Sequence, residues 1–143
     1  MNTPQAARAA WWLRAILVIV GATLLCATVP VFFPVAWMEA LHEWLGLGVM
    51  PTDPVVIYLA RSTSLLYAMH GMIVLVTAIK FRELQCLVPW IIALHAALGL
   101  ALIIVDWTAG MPTYWTLGEG PGILAGAVLC LALWRASRPV RGG

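Results

Sequence analysis

Charge is scarce in this chain: of 143 residues, eight are Lys or Arg and six are Asp or Glu, so charged side chains make up 10% against 63% hydrophobic. A soluble domain cannot wet its surface with so little charge, and that class is excluded. The net charge of +2 is spread over the chain ends and one loop. No basic patch forms, which removes nucleic acid as a partner. Cysteine is equally sparse. Cys26, Cys86 and Cys130 have no CxxC spacing and no accompanying histidine cluster, so they are expected to be buried packing residues and not disulfides or metal ligands. There is also no Walker loop, no nucleophile elbow, no HExxH and no carboxylate arrangement for a di-metal site, so catalysis has no evident engine and no catalytic residue is assigned.

Apolar sequence fills the space that charge leaves. A lipid-spanning helix takes about 20 residues, so the chain has room for four spans, short loops and no second domain. The expected fold class is all-α, a membrane four-helix bundle forming a single domain over residues 1–143. The first span covers residues 12–33, from Trp12 to Phe33, with Trp11 and Trp12 at one border and Pro30 and Pro34 closing the other. Its apolar run is too long for a cleaved signal, so it is expected to remain as an anchor. Residues 35–45 repeat Trp37, Leu41, Trp44 and Leu45 at helical spacing around Glu39, His42 and Glu43. This predicts a short amphipathic helix lying in the membrane interface.

Gly46 and Gly48 stop that helix, and Thr52-Asp53-Pro54 offers a cap followed by proline at the first helical position. Span two is expected over 54–80, span three over 84–107 after a polar turn at Lys80, Arg82 and Glu83, and span four over 117–135. The Gly110-Met111-Pro112 turn, followed by Tyr114 and Trp115, leads into span four. Arg8, Arg14, Lys80, Arg82, Arg135, Arg138 and Arg141 then fall on one side, and Glu39, Glu43, Asp53, Asp106 and Glu119 on the other. That asymmetry predicts both termini in the cytoplasm.

Among residues that could carry chemistry, His70 and His95 each sit mid-span, and the point midway between them falls in the Lys80–Glu83 turn, so an antiparallel hairpin brings both to one depth. Two readings follow. They are interhelical hydrogen-bonding residues, as polar groups in membrane helices often are, or they are the axial ligands of a b-type haem. No histidine on spans one or four repeats the pair. Thr63, His70 and Thr77 share one face at about 100° per residue, with Tyr67 about 60° aside. Asp106 shares a face with His95 and, with Tyr67, outlines a proton-linked transporter or channel; the plainer reading is a polar seam ending in a boundary acid. Arg61 lies within span two, about 180° around the helix from His70. It is expected either to snorkel to phosphates or to pair with Glu119, Glu39 or Glu43, the ion pair being preferred. Gly118, Gly122 and Gly126 form two successive GxxxG steps on span four. They are expected to pack on Ala93, Ala97 and Ala101 of span three, on a second copy, or on a different protein of a larger membrane complex.

The stretch WLGLGVMPTDPVVIYLARSTSLLYAMHG, followed by DWTAGMPTYWTLGEGP, resembles small four-helix bacterial membrane proteins, loosely the DoxX-like group. The resemblance implies the same architecture and a bacterial inner membrane, and it supplies no catalytic residues. The reading preferred from sequence is a non-enzymatic structural or accessory membrane component with no cofactor; the alternatives are a haem b electron carrier and a proton-linked transporter.

Overall fold

The computed structural model describes residues 4–138, and among them every regular element is helical. Helix α1 spans Pro4–Leu25, α2 Thr28–Val31, α3 Val35–Trp44, α4 Pro54–Ile79, α5 Phe81–Leu84, α6 Val88–Ala109 and α7 Thr113–Ser137, with a 3-10 turn at Gln85–Leu87 between α5 and α6. Four stretches are long and apolar enough to cross a membrane, namely Pro4–Val31, Pro54–Ile79, Phe81–Ala109 and Thr113–Ser137. The fold is all-α, and four apolar spans make this a multi-pass membrane protein surrounded by lipid. Arg141, part of the basic tail in the charge argument, lies outside the described residues.

Local sequence accounts for the helix ends. Pro30 has no N–H to donate to the Cys26 carbonyl, and its ring would press on that carbonyl in a continuous helix. Helix α1 therefore stops at Leu25, and the Thr28 hydroxyl donates to the Leu25 carbonyl at 2.8 Å. At the end of α3 the chain turns through Gly46, whose φ of 71° suits glycine. There the Gly46 amide donates to Glu43 and the Leu47 amide to His42. Gly110 ends α6 in the same left-handed conformation, with the Met111 amide donating to the Asp106 carbonyl at 3.0 Å. Pro89 sits in the first turn of α6, where a missing N–H costs nothing.

Several boundaries differ from expectation. Helix α1 already covers residues 4–11, ahead of the apolar run expected to cross the membrane from residue 12, because the alanine-rich segment after Pro4 is a strong helix former although it is not a continuous apolar run. Helix α7 begins at Thr113, so Tyr114 and Trp115, which lead into the span expected from residue 117, lie in its first turn. Pro121 is carried inside this helix, leaving the Leu117 carbonyl without its amide partner. Of the three cysteines only Cys130 is buried. Cys26, in the turn after α1, and Cys86, in the 3-10 turn, are exposed.

The described residues divide into two compact units, one formed by residues 4–18 with 76–138, the other by Ile19–Leu75. In the first, α1 buries Ala6, Ala9, Leu13 and Leu17, and α7 buries Gly120, Ala127, Cys130 and Trp134. The steps are three and four residues in α1 and seven, three and four in α7, so each set is one helix face. Arg14 secures the same unit: its Nε–H donates to the Ala78 carbonyl at 2.9 Å and its Nη2 to Ile79 at 3.5 Å. These are terminal carbonyls of α4 that no helical amide satisfies. In the second unit, α1 and α4 meet glycine to glycine. A β-carbon on Gly21 would lie 2.7 Å from the Leu75 amide nitrogen, and one on Gly71 would lie 2.6 Å from that of Leu25.

Candidate functional site

Glycine has two different uses along α6 and α7. Gly99, the single glycine of α6, faces Gly120 of α7. A β-carbon at Gly120 would lie 2.6 Å from Ile103 Cγ1 and 2.8 Å from the Gly99 carbonyl oxygen. One at Gly99 would lie 2.9 Å from both the Gly120 oxygen and the Leu124 nitrogen. Such distances exclude a side chain on either residue, so the two backbones touch here. Gly118, Gly122 and Gly126 behave differently, since a β-carbon on any of them would meet nothing within 4 Å.

The expected packing of that triplet on Ala93, Ala97 and Ala101 is therefore corrected. All three alanines are exposed, and α6 instead buries the line through Val88, Ile92, Gly99 and Asp106. Gly120 is two residues from both Gly118 and Gly122, about 200° around the helix. A helix pressing one of these faces on α6 turns the other away.

The polar residues within the spans differ in burial and surroundings. His95 is half-buried, and its Nδ1–H donates to the Ile91 carbonyl one turn back at 2.8 Å. A carbonyl only accepts, so Nδ1 carries a proton. His70 and Tyr67 are half-buried on α4 in the Ile19–Leu75 unit, whereas His95 belongs to the other. The polar stripe on α4 is uneven: Thr77 is fully buried, while Thr63 on the same face is exposed. Among the described residues no group of three or more His, Cys, Asp or Glu side chains could hold a metal ion.

Among the described residues, two charged groups are incompletely satisfied. Asp106 is only 4% exposed, and its Oδ2 is buried without a hydrogen bond. Arg61 donates from Nη2 to the Phe33 carbonyl at 3.1 Å, while its Nε is buried without a partner. The expected pairing of Arg61 with Glu39 or Glu43 is thus replaced by one main-chain bond, and both acids are exposed. Glu119 is engaged within its own helix, where Oε2 accepts from Trp115 Nε1 at 2.6 Å. Sequence reasoning missed this tie, although Trp and Glu four apart on a helix are side-chain neighbours. It also missed Gly99 and Gly120, which belong to no GxxxG repeat. Compared with known proteins, the chain matches no family model, no curated protein and no solved structure.

Proposed function

We propose that this protein is a non-catalytic accessory component of a bacterial inner membrane, of the DoxX-like kind, with both termini cytoplasmic, and that it acts by lateral helix packing through the Gly118, Gly122 and Gly126 face of α7. The observation that supports this reading is the open space over all three glycines on a helix whose other glycine face already packs on α6. Backbone exposed along two turns offers a second helix a close approach, which in lipid is the main source of association between spans. A second copy of the chain is the simplest occupant. The test is resonance energy transfer between donor- and acceptor-labelled protein diluted in vesicles. The wild type should associate, and Gly122→Leu should lower the association constant about tenfold, the effect of losing one close contact. Equal transfer in both proteins, or none in the wild type at high protein-to-lipid ratio, defeats self-association.

One observation favours a second reading. A carboxyl group as buried as Asp106, with an oxygen lacking any partner, is costly in a membrane protein and often marks a proton or ion route. Vesicles containing the protein and a trapped pH indicator should then dissipate a proton gradient faster than empty ones, and Asp106→Asn should abolish the difference. Tight wild-type vesicles would end this reading.

A further inference from the structure

Arg61 lies in a span, seven residues after Pro54, which places it roughly 10 Å along α4. Guanidinium carries a full positive charge and five donors in a planar fork. Only one bond to it is formed within its unit, from Nη2 to the Phe33 carbonyl, and Nε is buried and unmatched. The acids of the same unit, Glu39, Glu43 and Asp53, are all exposed, and none forms an ion pair with it. Within this unit the cation is therefore tethered by a neutral carbonyl and has no counter-charge. Its remaining Nη donors are not buried without a partner as Nε is. Phe33 directly precedes Pro34, the N-cap of α3, and no side chain caps that helix start. The partial positive charge of a helix beginning thus adds to that of Arg61. Beside them, the rings of Phe33 and Trp37 meet edge to face at 5.5 Å. Helix α3 buries none of its residues in the chain and exposes Trp37, Leu41 and Trp44, the composition of a segment lying at headgroup level.

From this arrangement we infer that the Arg61 guanidinium, at the junction of α4 with the start of α3, is a binding site for a phosphate oxyanion. Two Nη donors match two phosphate oxygens, as arginine forks commonly do. The oxyanion comes from an anionic lipid headgroup or from free phosphate. The inference involves α4 and α3, so it stands or falls separately from the glycine face of α7.

The test is native mass spectrometry of the full-length protein released from detergent and titrated with phosphatidylglycerol, with diacylglycerol as a phosphate-free control and with inorganic phosphate as competitor. Wild type should retain phosphatidylglycerol about tenfold more tightly than Arg61→Gln, the change expected from one charge-assisted pair. Arg61→Lys, which keeps the charge and loses the fork, should fall between them. Retention that millimolar phosphate does not displace assigns the site to lipid; displacement assigns it to free phosphate. Equal retention of phosphatidylglycerol and diacylglycerol by the wild type overturns the inference whatever the variants do, as does equal phosphatidylglycerol retention by wild type and Arg61→Gln.

Discussion

On one face of α7, Gly120 lies so close to Gly99 and Ile103 that a single added carbon would collide with backbone; on the opposite face, Gly118, Gly122 and Gly126 would accept the same carbon with nothing in reach. The residue type and the helix are shared, so the difference arises from what faces each glycine. Inside the α6–α7 hairpin, the missing side chain lets two helices approach to backbone contact, and lost space there must be recovered by moving a helix. On the open face the missing side chain does nothing for the isolated chain. What it leaves is open backbone, and its effect is to be sought in association. Stability and assembly are therefore separable in this helix, and substitutions at positions two residues apart should divide them.

The largest effect is expected at Gly120. A valine there places branched carbons against the Gly99 carbonyl oxygen and the Ile103 main chain, already 2.8 and 2.9 Å from a bare β-carbon. Neither obstacle is the end of a flexible side chain, so the helices must separate and α6 loses part of its buried line. A loss of about 3 kcal/mol is expected, the upper end for overpacking, read as a lowered unfolding midpoint in mixed detergent micelles. If Gly120→Val melted like the wild type, the inner face would not be the tight one and the comparison would collapse. Gly122→Leu, the probe of association, should by contrast leave the unfolding of the dilute monomer within about 0.5 kcal/mol, as expected for a surface change that touches nothing.

The contrast between faces was only half legible in the sequence. The apolar runs, the turn prolines and the left-handed glycines at Gly46 and Gly110 are local signals, and they placed the four long helices and their order. Hydrophobicity marked a span from residue 12 and was silent on the residues ahead of it, which are helical through the propensity of the alanine-rich segment after Pro4. GxxxG spacing identified three glycines on one face but not what covers them, since that depends on how the hairpin rotates α7 against α6. The signal that could have found the inner contact was the lone glycine of α6. A hairpin turning at residues 110–112 brings Gly99 level with the stretch of α7 that contains Gly120, and two glycines at one level permit the closest approach. For Arg61 the sequence showed an isolated charge and suggested an acid to balance it. Only side-chain placement could show that the partner is the Phe33 carbonyl.

The smallest expected effect discriminates most finely between the two faces. Gly122→Ala adds one carbon where nothing lies within 4 Å, so the dilute monomer meets no steric cost and gains helix propensity. The gain is about 0.5 kcal/mol, the low end of the glycine-to-alanine difference because lipid already favours the helix. The same carbon would stand between two backbones in an associated pair, where close approach is the source of attraction. One substitution should thus raise the unfolding midpoint of the monomer while lowering energy transfer between copies in vesicles. A raised midpoint with energy transfer unchanged or raised would mean that this face takes no part in association, and Gly122 would then be an ordinary lipid-facing position.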